Sequence, residues 1–171
     1  MIRSMNVHNN EFIYKDLAFI DDEQAKKLNN VIVEPEDVLL NITGASVARC
    51  CIVHNRVLPA RVNQHVSIVR VNKEYILPIF LSYQFTNDSY QRLMRNVATS
   101  GGATREAITK QQIEEYEIIV PPIELQNRFN TYVQQIEQQK FLLQQSLSEF
   151  QQNFESLMQK AFKGELFPDA G

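Results

Sequence analysis

The sequence predicts an α+β fold: a mixed globular domain over residues 1–120, a long coiled-coil-forming helix over 121–164, and a short tail over 165–171. Three observations carry that prediction. Residues 37–71 hold three apolar runs of strand length, and the last alternates apolar with polar. Residues 78–97 carry apolar positions at helical spacing behind a proline. From Ile123 to Lys163 there is no Gly or Pro, and apolar residues recur every three or four positions.

The elements follow in order. Ile2–Val7 and Glu11–Tyr14 flank His8-Asn9-Asn10, and because Asn tolerates a positive φ a hairpin is expected there. Asp21-Asp22-Glu23 supplies a cap and an acidic first turn for a short helix ending near Leu28. Strands are expected at Asp37–Ile42, Val47–Val53 and Val66–Val71. Pro78 opens a helix containing Ile79, Phe80, Leu81, Tyr83 and Phe85, and Tyr90–Val97 continues as helix. Ser100-Gly101-Gly102-Ala103 reads as a loop. Thr109 caps a turn over Ile113, and Glu117–Val120 reads as a short strand.

Composition changes at Pro121-Pro122. Behind it lie ten Gln between residues 123 and 163. Proline is favoured at a helix start and Glu124 suits the positive end of the helix dipole. Lys163, Gly164 and Pro168 supply a matching stop. About forty residues at ~1.5 Å each make a rod of roughly 60 Å. Phe129, Val133, Ile136, Lys140, Leu143, Leu147, Phe150, Phe154, Leu157 and Ala161 form a seam with spacings of four and three, the period of a coiled coil. A lone helix of this kind is rarely stable in water, so the seam needs a partner. With one seam per chain, an antiparallel homodimer is expected, joined through Val133, Ile136, Lys140, Leu143, Leu147, Phe150, Phe154 and Leu157. Lys140, the one polar seam residue, is placed to fix register or strand orientation.

Composition narrows the function. A chain of 171 residues with 44% hydrophobic content, five Gly and six Pro can build a packed core. Met1-Ile2-Arg3-Ser4 has no apolar run behind it, so neither a signal peptide nor a membrane span is expected. Cys50 and Cys51 are adjacent on a strand and point to opposite faces. A disulfide between them is therefore not expected, and two buried thiols suit a reducing cytoplasm. The net charge is −3, but it is unevenly spread. Residues 11–37 carry three Lys against eight acids, a net of −5, whereas residues 45–110 carry nine Lys and Arg against three acids, a net of +6. A local basic surface can bind phosphates whatever the total charge, although charge alone leaves a solvated face equally open.

No catalytic or metal-binding constellation is legible. His8, His54 and His65 are scattered, without Cys or carboxylate at metal-ligand spacing. Ser100-Gly101-Gly102 lacks the Lys-Ser/Thr of a phosphate-binding loop. Val120-Pro121-Pro122-Ile123 departs from the Asn/Asp-Pro-Pro-aromatic motif of amino-methyltransferases at its polar residue. Groups suited to reading bases do occur. Arg61-Val62-Asn63-Gln64-His65 offers a guanidinium, two amides and an imidazole, where Arg suits guanine and Asn or Gln suits adenine. Arg92 and Arg95 lie three apart on a helix. Ser100 to Lys110 combines glycines with Thr104, Arg105 and Lys110 as a phosphate-gripping loop. For any one of these residues, a buried hydrogen bond, cap or turn would serve as well.

Asp37-Val38-Leu39-Leu40-Asn41-Ile42-Thr43-Gly44-Ala45-Ser46-Val47, with Ala60-Arg61-Val62-Asn63-Gln64-His65-Val66 behind it, resembles the paired blocks of type I restriction–modification specificity subunits. Ser100–Lys110 resembles the loop that follows them. Ile119-Val120-Pro121-Pro122-Ile123-Glu124-Leu125-Gln126 resembles the entry to that family's spacer helix, and Ala161-Phe162-Lys163-Gly164-Glu165-Leu166 its end. The resemblance runs in order over nearly the whole chain. Two positions depart from it: Pro35-Glu36 precedes Asp37 where Gly is frequent, and Ala48 replaces a frequent Gly.

The resemblance implies that residues 1–120 are a target-recognition domain reading one half of a split site in double-stranded DNA. Antiparallel spacer helices then fix the gap between halves. It implies methyltransferase and restriction subunits as partners; S-adenosylmethionine, ATP and Mg belong to them, and no cofactor belongs to this chain. The expected DNA surface is Arg61, Asn63, Gln64, His65, Arg92, Arg95, Thr104 and Arg105. By that resemblance several tens of the family's usual N-terminal residues, and its second half, are expected to be missing from this sequence, which would put Ile2–Val7 at or near a sheet edge. Two rival readings stand beside this one: a protein-binding adaptor working through its coiled coil, and an inactive recombination-cassette fragment.

Overall fold

The computed structural model of the protein describes residues 1–99 and 107–166. It divides into two units, Met1–Asn127 and Arg128–Gly171.

The centre of the first unit is β4 (Val38–Asn41), four consecutive buried residues. A strand buried on both faces reads as a continuous apolar run, which is why Val38-Leu39-Leu40 lacks alternation. It pairs antiparallel with β5 (Cys50–Ile52) on one side and β7 (Val66–Val69) on the other. The register sets Leu39 opposite Cys51 and Ile68, and Leu40 opposite Cys50 and Ser67. Because side chains alternate, one face carries Val38, Leu40 and Cys50 into a core with Ile76, Leu81, Phe85, Met94 and Ala98. The other carries Leu39, Cys51 and Val66 into a core with Ile2, Val7, Val33, Ala60 and Val62. The two cysteines therefore lie in different cores as free, buried thiols.

The first core is closed by α2 (Pro78–Thr86) and α3 (Asp88–Thr99). Pro78 stands in the first turn of α2, where its missing N–H costs nothing. The second core is closed by the hairpin β1 (Val7–His8) and β2 (Glu11–Phe12), and by the pair β3 (Ile32–Val33) and β6 (Ala60–Arg61). The hairpin turns at Asn9-Asn10, with Asn10 at φ 55°. That turn is pinned to the helices: Asn10 Nδ2 donates to Thr86 Oγ1 at 2.7 Å, and Gln91 Nε2 donates to Asn9 Oδ1 at 2.8 Å. The short helix α1 (Asp22–Lys27) is capped by Asp21, which accepts from Gln24 N at 2.7 Å. Thr109 and Gln112 cap α4 (Lys110–Glu114) reciprocally.

Several expectations are corrected. Ile2–Val7 is not one strand: Ile2 makes a single parallel bridge with Val62, and Ser4–Asn6 is a 3-10 turn. The cause is Asn6. Its buried side chain accepts from Arg3 N at 3.0 Å and donates to Ile13 O and Lys15 O at 2.9 and 3.0 Å, offering the backbone an alternative to a ladder. Ile2 is 0% exposed, donating to Arg61 O and accepting from Asn63 N, rather than lining an open edge. Glu117–Val120 joins no strand among the described residues and stays exposed. Pro121 holds the residue before it extended without giving it a partner strand.

The two departures from the family pattern gain a physical reason. Glu36 and Ala48 both adopt left-handed φ, 67° and 69°. Glycine takes that conformation freely and other residues at a cost of about 1 kcal/mol or more.

The helix α5 runs from Ile123 to Lys163, 41 residues and roughly 60 Å at ~1.5 Å per residue. Its first five residues belong to the first unit. There Gln126 is fully buried: its Oε1 accepts from Leu77 N at 2.8 Å, and its Nε2 donates to Tyr75 O at 2.9 Å and Pro121 O at 2.8 Å. The helix ends at Gly164, φ 73°, with Gly164 N bonded to Ala161 O and Glu165 N to Lys160 O. These two bonds are a Schellman cap. Within the second unit the seam from Ile136 to Leu157 is largely exposed; Leu143 and Phe150 reach 70% and 72%. Exposed Phe141 and Leu142 widen it at mid-length. Lys140 Nζ pairs with Glu137 Oε1 at 2.6 Å.

Candidate nucleic-acid interface

The ends of β4 and β7 shape an open cleft of about 810 Å³, lined by Ser4, Met5, Thr43–Ser46, Arg49, His65 and Ala107. Its floor is built by backbone. The chain leaves β4 at Thr43, which bridges to Ala107, and Ile108 N bonds Ile42 O at 2.8 Å. A 3-10 turn over Gly44–Ser46 follows, with Gly44 at φ 68°, and Ala48 N returns to Asn41 O at 2.9 Å.

Three of the expected DNA residues, Asn63, Gln64 and His65, sit together in the turn between β6 and β7, and Arg61 stands at the end of β6. Asn63 Oδ1 accepts from His65 N at 3.2 Å, and Val66 N bonds Asn63 O at 3.1 Å, so Asn63 shapes the turn with its carbonyl groups. His65 Nδ1 lies 2.7 Å from Thr43 Oγ1 inside the cleft. Gln64 is exposed beside it, with its Nε2 at 3.4 Å from His65 Nε2. Arg61 differs: its guanidinium bonds Ala60 O at 3.1 Å and Asn29 Oδ1 at 3.4 Å, and its Nε is buried without a partner. None of those bonds joins it to the cleft.

Arg92 and Arg95 are exposed on α3. Arg95 Nη2 donates to Gln91 Oε1 at 3.3 Å, and Gln91 Nε2 donates to Ala48 O at 3.0 Å. This linkage brings Arg95 to the backbone next to Arg49, a cleft residue that sequence reasoning passed over. Thr43 and Ser46 were likewise read only as part of a motif. Their signal was present: a Thr-Gly-Ala-Ser run just after a buried strand is a turn that exposes hydroxyls and backbone. Thr104 and Arg105 lie outside the described residues.

The basic zone is partly neutralised in space. Arg70 clamps the buried Asp37 carboxylate through two bonds of 2.8 Å and pairs with Glu34 at 2.7 Å, while Lys73 pairs with Glu36. The Asp37 hydrogen bonds hold the Arg70 guanidinium above its ordinary pKa. Among the described residues of the basic zone, 45–110, ion pairs reach Arg70, Lys73 and Lys110 but not Arg49, Arg56, Arg61, Arg92 or Arg95. Arg49 lines the cleft and Arg95 is linked through Gln91 to the backbone beside it, while Arg92 stands exposed on the same helix as Arg95; among the described residues these three arginines keep a charge that no ion pair offsets. Also among the described residues, no group of His, Cys, Asp and Glu is arranged to hold a metal ion. No helix there is long and apolar enough to cross a membrane.

No curated protein matches the chain. Among solved structures, a chain from work on complex assembly and conformational transition of the type I R-M system matches with a TM-score of 0.56 at 23% identity. The match covers 82% of this chain and 35% of that one, so this chain spans about a third of its length, and the likeness is one of fold. A family model described as the type I restriction modification DNA specificity domain matches residues 2–160, taking in both the cleft-bearing unit and nearly all of α5. The chain belongs to the type I restriction modification DNA specificity domain family.

Proposed function

We propose that this chain reads one half of a bipartite site in double-stranded DNA, as a half specificity subunit of a type I restriction–modification system. The observation that carries the reading is the cleft at the ends of β4 and β7, which sets Thr43 and His65 beside Arg49, a cation that no acid among the described residues pairs with. Polar groups in the cleft mouth read base edges, and Arg49, Arg92 and Arg95 hold phosphates. The seam Val133, Ile136, Lys140, Leu143, Leu147, Phe150, Phe154 and Leu157 joins two copies antiparallel, so that two recognition units address inverted half-sites.

The chain brings recognition and no chemistry. Methyltransferase subunits supply S-adenosylmethionine-dependent methylation, a restriction subunit supplies ATP- and Mg-dependent cleavage, and the complex works on cytoplasmic DNA. Binding to a duplex, titrated against salt in the presence of the methyltransferase subunits, tests this. Each phosphate contact contributes a slope of about −0.9 in log affinity against log salt. Arg92→Ala and Arg95→Ala should each flatten that slope by roughly one contact. Binding that ignores salt, or no binding at all, would refute the reading.

A further inference from the structure

We infer that Thr43 is a positioning residue for DNA reading: through His65 it orients the amide of Gln64, so that Gln64 presents one N–H and one carbonyl oxygen to an adenine edge. The inference rests on the proposed DNA-reading function and deepens it.

Two contacts define the arrangement. Thr43 Oγ1 and His65 Nδ1 are 2.7 Å apart, and Gln64 Nε2 is 3.4 Å from His65 Nε2. An amide nitrogen donates and never accepts, so the second contact requires a bare Nε2. The single proton of a neutral imidazole then sits on Nδ1 and is donated to Thr43 Oγ1. The ring hangs from a fixed backbone. His65 N donates to Asn63 Oδ1 at 3.2 Å, and His65 O accepts from Ile42 N at 3.0 Å. Thr43 is equally fixed, two residues beyond β4 with a bridge to Ala107.

With one amide hydrogen committed to His65, exposed Gln64 keeps one N–H and its Oε1. That pair matches adenine in the major groove, whose N7 accepts and whose N6 donates. Guanine shows two acceptors there and would need two donors. Remove the threonine hydroxyl and nothing described holds the proton on Nδ1. An Nε2–H would then face the amide N–H2 and turn it over, swapping donor for acceptor.

The test has two arms. Long-range proton–nitrogen correlation spectra of the full chain, at a pH where imidazole is neutral, report which ring nitrogen is protonated. Nδ1–H is expected for His65 in the parent and in Thr43→Ser, and Nε2–H in Thr43→Val. Nε2–H in the parent overturns the inference, whatever happens with DNA. In the second arm, the chain assembled with its methyltransferase subunits selects from a duplex library with randomised half-sites. The parent and Thr43→Ser should demand A·T at one position per half-site. Thr43→Val and Gln64→Ala should lose that discrimination by roughly tenfold to a hundredfold and keep the others. If Thr43→Val keeps it, or neither variant changes it, the inference fails while DNA reading stands. If the parent selects no sequence, DNA reading itself fails.

Discussion

Replacing Gln126 by Met keeps the length and volume of the side chain while removing all its hydrogen bonds. The parent amide is fully buried and makes three, to Leu77 N, Tyr75 O and Pro121 O. Each backbone partner left without a bond costs about 1–3 kcal/mol, the low end applying to groups that water can partly reach. Those three contacts are only part-buried, so the low end applies to each, and after the more favourable burial of an apolar side chain the net loss is about 2 kcal/mol. Domain stabilities lie near 5–15 kcal/mol, so this is a sizeable share. Thermal unfolding followed by circular dichroism should show a melting temperature lower by roughly 8 °C at about 4 °C per kcal/mol. Denaturant titration should move the midpoint without changing the slope. A loss under about 1 kcal/mol would refute the claim that Gln126 ties the first turn of α5 to the segment before α2.

Three further outcomes are expected. Burial pushes the Cys51 thiol up to about 12 and the Cys50 thiol higher still, Cys50 being raised further by its neighbour Cys51. Both should therefore resist iodoacetamide near pH 8 in the folded chain and react once it is unfolded, as mass spectrometry would register. Arg70→Ala leaves the buried Asp37 carboxylate, among the described residues, with the Glu34 N–H at 2.7 Å as its remaining partner, and should destabilise by about 2 kcal/mol in chemical denaturation; an unchanged midpoint would contradict the clamp. Leu147→Asp with Phe150→Asp places charges in the exposed seam and should leave monomers by light scattering, where the parent at high micromolar concentration is expected to give a dimer; a monomeric parent would contradict the proposed pairing.

Periodicity made the large elements legible. The central strand, both flanking strands, α2 and α3 each follow from an apolar pattern that burial then satisfies, and the long helix follows from a pattern whose seam stays largely exposed within the chain. So does the separation of Cys50 from Cys51, which needs only strand alternation. What escaped was set by contacts distant in sequence. β3 and β6 are two residues each, too short for any pattern, and exist because Ile32 meets Arg61 and Val33 meets Ala60. The turn at Ser4–Asn6 depends on a buried Asn6 side chain reaching Ile13 and Lys15. The site was legible in part: His65 and Gln64 stand at the cleft, whereas Arg61 is bonded to Asn29 instead. Thr43 and Arg49 join His65 only because β4, β5 and β7 are adjacent in the sheet. Charge was the least faithful guide, because Glu34, Glu36 and Asp37 fold back onto Arg70 and Lys73.

The most direct measurement of DNA reading is a map of methylated bases in a host genome that carries this chain with its methyltransferase subunits. Two copies joined antiparallel through Leu143, Leu147, Phe150 and Phe154 predict a motif of two inverted half-sites separated by an unread gap of fixed length. Deleting the gene for this chain should erase every modification in that motif. A contiguous motif, a gap of variable length, or methylation that persists without the chain would contradict the account.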